Sequence, residues 1–254
     1  MKYQYPSSSS GSGTIMVNEK LERNNAFSLL LFCATALLCL SIFIFCLTHS
    51  PKLILGESMQ PTINASFDNK DHYDIVLVNN TKNIHRGDII IYDYTSYDTR
   101  VGLIIKRVVA VSGDTINIKW DSENQKLEFY LKKPGETEFS LIQEDYIKKD
   151  PNDNTKDSAD ASYCASSFQA KNYSLNSKRW HQEGISYDLH EDGSITIKEG
   201  YFFALGDNRG LSTDGSEHGP FDCKDIVGVV DVIMPDGTFL NNVMRTVFGV
   251  KHQY

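Results

Sequence analysis

Two residues of this sequence, a serine and a lysine, are of the types that can serve as a nucleophile and its general base. Ser58 lies in the segment S-M-Q-P-T at residues 58–62, which is equally compatible with an ordinary turn. Lys106 lies in an apolar run typical of a β-strand. Alternate residues of a strand share a face, so Lys106 shares a face with Ile104 and Val108. Burial lowers the pKa of a lysine, and a neutral lysine can accept the proton of a serine hydroxyl.

Each of these polar segments also has a simpler interpretation. Lys106 can extend its ammonium group to water, and from the strand alone this interpretation is the better one. Arg107 points to the opposite face and cannot act as a base, because a guanidinium keeps its charge. The segment G-D-N-R-G-L-S-T-D at residues 206–214 follows an apolar run and, taken alone, indicates a hydrogen-bonded turn. No single segment therefore indicates an enzyme.

Short apolar runs separated by Gly, Asn and Asp predict the elements that must position these side chains. They predict a mainly β fold with an antiparallel or mixed sheet, because no long helical period separates them. The runs span residues 74–78, 88–92, 102–111, 115–120, 127–131, 194–198, 201–205 and 226–233. Residues 143–180 are polar, and we interpret them as an excursion inside a smaller β lobe inserted at about residues 121–199.

An uncharged segment precedes the predicted β domain. Residues 24–51 contain no Asp, Glu, Lys or Arg, and the 22 residues from Ala26 to Leu47 are long enough to cross a hydrocarbon layer of about 30 Å. A cleaved signal peptide is the main alternative, but the run is long for one and no small-residue cleavage site follows. A buried core helix is a weaker alternative, because the segment has no polar face. The expected parts are a disordered cytoplasmic tail at 1–23, a transmembrane helix at 24–49 and an extracytoplasmic domain at 50–254.

Charge restricts both the partners and the orientation. Thirty-three acidic residues against 25 Lys and Arg give a net charge of −8. This argues against nucleic acid as a partner, because binding phosphates requires a basic surface. Lys20 and Arg23 precede the apolar segment and Lys52 follows it, a slight bias that places the N-terminus in the cytoplasm.

The histidines and cysteines do not indicate a metal or redox site. The seven histidines are scattered without the spacing of a zinc motif, and the five cysteines form no Cys-x-x-Cys. Three of the cysteines lie in the apolar segment, and the other two are Cys164 and Cys223. The sequence leaves open whether Cys164 and Cys223 form a disulfide bond.

Taken together and in this order, the polar segments and the anchor resemble the type I signal peptidase family. The matching segments are G-E-S-M-Q-P-T-I at 56–63, R-G-D-I-I-I-Y at 86–92, K-R-V-V-A-V-S-G-D at 106–114, G-D-N-R-G-L-S-T-D at 206–214 and I-V-G-V-V at 226–230. The resemblance covers most of residues 50–250 but not the polar stretch at 143–180. The first four of these segments, in this order behind an anchor, are a specific signal.

The resemblance implies a single-pass serine endopeptidase that uses no metal or organic cofactor. It would lie in the inner (plasma) membrane with its catalytic domain on the outer, periplasmic side, and remove signal peptides from exported preproteins. Its partners would be those signal peptides and membrane lipid. Carried over by motif, Ser58 is the nucleophile, its backbone N–H binds the oxyanion, and Lys106 is the general base. The expected supporting residues are Ser212, which orients the lysine, and Asp207, Asp214 and Arg107.

Specificity for small side chains at the −1 and −3 positions of the substrate also follows from the resemblance. The substrate would bind as an added strand between residues 54–57 and 103–105. The residues expected to line its pockets are Ile54, Met59, Ile63, Ile104 and Ile105.

Two departures from the family pattern leave alternatives open. Gly215 and Ser216 stand where the family has Ser-Arg, which leaves Arg107 and Arg209 as the candidate partners of Asp214. Gly56 stands where some members carry a serine that completes the oxyanion hole. One alternative is a specialised pilus or conjugation maturation protease of the same family. The other is an inactive anchored β domain that serves as a binding module, which the retained serine and lysine oppose.

Overall fold

The computed structural model divides the chain into two compact units after Thr48. It describes residues 11–64, 73–121, 123, 126–144, 146–147, 149–150, 153–157, 184–209 and 212–248. Most of the predicted excursion at 143–180, and Cys164 within it, therefore lies outside the described residues.

The first unit is one long helix, α1 (Gly11–Thr48). Its segment Asn25–Thr48 has a mean hydropathy of 2.8, and it is the one helix in the described part of the chain that is long and apolar enough to cross a membrane. The hydroxyl groups of Thr35, Ser41 and Thr48 donate to backbone carbonyls of the same helix, as when Thr35 Oγ1 donates to Leu31 O at 2.8 Å. Helix α1 begins before the expected boundary at residue 24, because good helix formers such as Met, Glu, Lys and Leu continue the helix.

The second unit is mainly β, as the sequence predicts. Its strands are β1 (His49–Leu53), β2 (Ile75–Asn79), β3 (Ile89–Asp93), β4 (Leu103–Val111), β5 (Thr115–Asp121), β6 (Lys126–Lys132), β7 (Ser140–Leu141), β8 (Lys149–Asp150), β9 (Asp153–Asp157), β10 (Tyr187–Leu189), β11 (Ile195–Ile197), β12 (Tyr201–Leu205), β13 (Phe221–Asp222) and β14 (Ile226–Met234). The described part of this unit also contains the α-helices α2 (Gly215–His218) and α3 (Phe239–Phe248).

The described strands form antiparallel sheets. The main sheet has seven strands in the order β1-β2-β14-β3-β4-β12-β13, and a second sheet has five in the order β10-β11-β5-β6-β7. Strand β5 pairs within the second sheet, so the smaller lobe begins at Thr115 and not at about residue 121. The chain changes sheets at the turn before it, where Gly113 has a φ of +86°, which glycine adopts without strain.

Strand β4 lies in the main sheet between β3 and β12 and carries the lysine. Along β3 it pairs from Leu103 to Arg107, but along β12 it pairs only from Arg107 to Val111. Val108 bonds through its N–H and C=O on the β3 side of the strand. Backbone groups of alternate residues point to opposite edges, so Leu103 and Ile105 point to the other edge. No strand among the described residues pairs with that edge before Arg107.

Candidate active site

The structure brings Ser58 and Lys106 into direct contact. Lys106 is only 4% exposed, so it does not extend its ammonium group to water. Its Nζ donates to Ser58 Oγ at 2.9 Å and to Ile105 O at 2.9 Å. A half-buried serine hydroxyl thus lies within proton-transfer distance of a buried amine, which is the geometry of a nucleophile and its base.

Burial determines the protonation of the lysine. It lowers the pKa of Lys106 from 10.5 to about 8, while the negative charges of Asp214 and Asp207 oppose the change. Removing an ammonium group from water disfavours its charged form. Roughly a tenth of the amine is therefore neutral at pH 7 and able to accept a proton.

Two buried polar side chains fix the loop that carries Ser58. Asn64 donates through Nδ2 to Ile54 O at 2.7 Å and to Gly56 O at 3.0 Å. Asn64 and Asp74 also exchange bonds, each accepting the other's backbone N–H through its side chain. Asn64 has a φ of 58°, a left-handed conformation that asparagine tolerates better than most residues. The loop around Ser58 is thereby held from both of its ends.

Asp207 links the catalytic strand to the serine loop. It is fully buried, and its carboxylate accepts hydrogen bonds from Arg107 Nε at 2.8 Å and from Arg107 Nη2 at 2.6 Å. Thr62 also donates its hydroxyl to Asp207 at 2.6 Å. Asp207 and Arg107, both expected as supporting residues, thus form a two-bond ion pair directly beside Lys106.

Asp214 is held by the backbone, and not by the arginines that the sequence left as its candidate partners. It accepts the N–H groups of Gly206 at 2.8 Å and Ser216 at 3.0 Å, the second as the N-cap of helix α2. Arg107 pairs instead with Asp207, and Arg209 pairs with Glu144. The missing family arginine therefore does not leave the carboxylate unsupported.

Close packing accounts for the glycine that follows Asp214. A Cβ atom on Gly215 would lie 2.8 Å from Ala204 O and 3.0 Å from the ring of Phe203. Both distances are too short for a Cβ contact, so a serine at this position would require the strand to move.

Ser212 lies near the site but does not make the expected bond to Lys106. Its buried Oγ has no hydrogen-bond partner among the residues that the structure describes. A Cβ atom on Gly206 would lie 2.2 Å from this oxygen and 2.5 Å from Ser58 O, so Ser212 and the serine loop both approach Gly206 closely. The amine instead uses Ser58 and Ile105 O as its acceptors.

Asn208 also contacts the loop that carries Ser58, although no sequence pattern identifies it. Its N–H donates to Ser58 O at 3.0 Å and its Nδ2 to Glu57 O at 3.2 Å. In a planar trans peptide the carbonyl and the following N–H point in opposite directions. Holding Glu57 O therefore directs the Ser58 N–H away from Asn208. The only sequence signal was the turn chemistry of the segment.

Four of the five expected pocket residues share one apolar cluster. Ile54, Met59, Ile63 and Ile105 pack together, and Met59 and Ile63 are fully buried. Ile104 packs instead with a cluster that contains Tyr92 and Val108, because consecutive residues of a strand face opposite sides. Among the described residues, no group of three or more His, Cys, Asp or Glu side chains is arranged to hold a metal ion.

Comparisons with known proteins show which family the chain resembles. The family model described as signal peptidase, peptidase S26, matches residues 26–235. Signal peptidase I of Streptococcus pneumoniae serotype 4 (strain ATCC BAA-334 / TIGR4), and that of Streptococcus pneumoniae strain ATCC BAA-255 / R6, are each 29% identical over 176 residues, 68% of this chain and 76% of the relative. The crystal structure of a signal peptidase I from Enterococcus faecalis V583 is 24% identical, with a TM-score of 0.31, and the match covers 58% of this chain and 97% of that one.

The family match includes every segment that forms the site. It contains the serine loop, strand β4 and the loop at residues 206–214, together with most of helix α1. The chain therefore belongs to the signal peptidase family, peptidase S26, and is a serine peptidase.

Proposed function

We propose that this chain is a membrane-anchored endopeptidase that removes signal peptides from exported preproteins, with Ser58 as nucleophile and Lys106 as general base. The observation that supports this most directly is the 2.9 Å bond from a buried lysine amine to the serine hydroxyl. The names of the relatives supply the substrate class. The intact pair also argues against an inactive binding module.

In the proposed reaction Lys106 carries the proton. The neutral amine takes the proton of Ser58 Oγ as the oxygen attacks the scissile carbonyl, and the resulting ammonium returns it to the leaving amine. A water then attacks the acyl group on Ser58, again giving a proton to Lys106, and the acid product leaves as the serine is re-protonated. The Ser58 N–H, directed by Asn208, stabilises the oxyanion in both steps.

The edge of β4 before Arg107 is the proposed substrate site. Leu103 and Ile105 present their backbone groups there, and an extended peptide can add to such an edge as a further strand. The apolar cluster of Ile54, Met59, Ile63 and Ile105 would form the floor of the side-chain pockets. Since Met59 and Ile63 are already fully buried, little depth remains, which favours small residues at −1 and −3.

Helix α1 is the proposed membrane anchor. A core helix of its apolarity would be buried, whereas the apolar side chains of Asn25–Thr48 are exposed in the structure. Lipid would cover them, with the N-terminus in the cytoplasm and the domain from residue 50 onward outside the plasma membrane. Strand β1 begins directly at His49, so Ser58 follows the anchor closely along the chain.

Cleavage of a preprotein by the full-length protein in detergent tests the proposal. We expect Ser58→Ala, Lys106→Ala and Lys106→Arg to abolish cleavage while the protein stays folded, because the pair acts as a unit and arginine cannot accept the proton. Near-normal cleavage by Lys106→Arg would refute the assignment of the base. A panel of unrelated preproteins distinguishes a general signal peptidase from a pilus or conjugation protease, which would cleave one dedicated substrate.

A further inference from the structure

Two residues at the start of the polar excursion contact the catalytic elements. The Glu144 carboxylate accepts a hydrogen bond from Arg209 Nη1 at 3.0 Å and forms an ion pair with Arg209 Nη2. Tyr146 lies under the guanidinium of Arg107, whose Cζ is 4.1 Å from the ring centroid. Tyr146 also donates its hydroxyl to Glu144 at 2.8 Å, so the two residues form one unit.

Glu144 controls the position of the catalytic loop through Arg209. The arginine is only 7% exposed and donates its Nε to Gly206 O at 3.0 Å. The ring of Phe129, on strand β6 of the second sheet, lies 4.8 Å from its Cζ. A cation buried to this extent needs an opposite charge close to it, and losing such a partner is costly. Glu144 is the carboxylate that pairs with Arg209 where the arginine contacts Gly206 O.

Tyr146 acts on the other side of the site, at the catalytic strand. Its ring covers Arg107, which neighbours Lys106 and is fixed by two bonds to Asp207. A ring face attracts a guanidinium and limits where it can move. Burial and the charge of Glu144 raise the pKa of Tyr146, so its hydroxyl stays protonated and can donate.

We infer that Glu144 and Tyr146 are positioning residues of the peptidase. Together they hold Arg209 against the catalytic loop and Arg107 beside the catalytic lysine. This gives the beginning of the excursion a role that the resemblance to the family does not provide. The inference rests on the proposed roles of Ser58 and Lys106.

The second sheet contains a matched control for both residues. Tyr130 donates its hydroxyl to Glu128 at 2.7 Å, with the same spacing of two residues. Lys119 Nζ lies 5.0 Å from the centroid of the Tyr130 ring, as Arg107 lies over Tyr146. All three residues belong to strands β5 and β6. Lys119, Glu128 and Tyr130 therefore repeat, within the second sheet, the tyrosine–glutamate hydrogen bond and the cation–ring contact of Glu144, Tyr146 and Arg107.

The experiment compares Glu144→Gln and Tyr146→Leu with Glu128→Gln and Tyr130→Leu in the full-length protein. We expect the first two to reduce kcat/KM about 10- to 100-fold, mainly through kcat, because the reacting groups are misplaced. The control variants should remain close to the parent protein. In Glu144→Gln the charge of Arg209, no longer balanced by Glu144, should counteract Asp214 more strongly, so the acid limb of the pH–rate profile should move to lower pH.

Further variants separate positioning from folding. Glu144→Gln combined with Arg209→Gln removes both charges, and it should recover part of the kcat lost in Glu144→Gln alone. Tyr146→Phe keeps the ring and should lose less kcat than Tyr146→Leu. If either excursion variant fails to fold, these two measurements decide the question, and absence of both effects overturns the inference.

Ser58→Ala, assayed in parallel, tests the proposed function separately. Activity in Ser58→Ala would refute the nucleophile itself. If Ser58→Ala is inactive while the excursion variants match their controls, or change only KM with an unmoved acid limb, the positioning inference alone is wrong.

Discussion

The pH dependence of cleavage should report the burial of Lys106. Burial lowers its pKa from 10.5 to about 8. At pH 7 this raises the neutral fraction from roughly 0.0003 to roughly 0.09, a gain of about 300-fold, or about 3 kcal/mol. In the proposed mechanism the unprotonated amine is the active form, so the rate should increase with pH and level off once the lysine is neutral.

The assay is kcat/KM for a peptide with alanine at −1 and −3, measured from pH 6 to pH 9.5. This quantity titrates with the free enzyme, so its acid limb should have a midpoint near pH 8. Between pH 7 and pH 9 we expect an increase of about tenfold, from the neutral fractions at these two values. A rate that still rises about tenfold per pH unit at pH 9.5, without levelling off, would show a solvated lysine, and a flat profile would show a different base.

A substitution at Asp214 checks the electrostatic part of this reasoning. Its negative charge stabilises the ammonium form of Lys106. Asp214→Asn should therefore lower the lysine pKa further and move the acid limb to lower pH, by up to about one pH unit. The amide oxygen can still accept a backbone N–H, which limits the structural damage. A shift to higher pH would contradict the sign of the interaction.

Four further substitutions and one protease-protection experiment have definite expected outcomes. Asn208→Ala should lower kcat by about 100-fold with little change in KM, because the Ser58 N–H loses its orientation; steady-state kinetics that show a KM effect alone would contradict this. Gly215→Ser should destabilise the protein by about 1–3 kcal/mol in a denaturant titration, since its Cβ meets Ala204 O. Gly56 has open space beside it, so Gly56→Ser should keep activity, whereas Gly56→Val should lose activity by obstructing the substrate, and equal kcat values would disprove that placement. Protease added outside intact spheroplasts should digest the domain from residue 50 onward and spare the N-terminal tail; the reverse pattern would overturn the topology.

Periodicity explains why much of the fold could be predicted. Alternating or continuous apolar runs identify strands such as β3, β4 and β14, because each must cover a core with a period of two residues. The side-chain alternation in β4 likewise placed Lys106 and Arg107 on opposite faces. The same rule, applied to Ile104 and Ile105, would have separated these two pocket candidates.

Contacts between residues that are distant along the chain leave no periodic pattern in the sequence by which they could be predicted. Glu144 and Arg209 are separated by 65 positions, and neither stands in a periodic segment. The partner of Asp214 was also hidden, because backbone N–H groups are present at every non-proline residue and carry no sequence signal. The start of the second lobe depended on one turn at Gly113, whose effect on sheet membership requires the folded structure.

The end of strand pairing at Arg107 connects the fold to the proposed chemistry. Strand β12 pairs with β4 up to Leu205 and then leaves at Gly206, where the chain enters the loop that carries Asp207 and Asn208. Because Asp207 binds Arg107, the loop is fixed at the point where β12 no longer covers β4. The edge that becomes free is also the edge to which Ile105 points, beside Ser58. A continued β12 would pair with the edge that the proposed substrate strand needs, so the proposed mechanism requires β12 to leave β4 at this point.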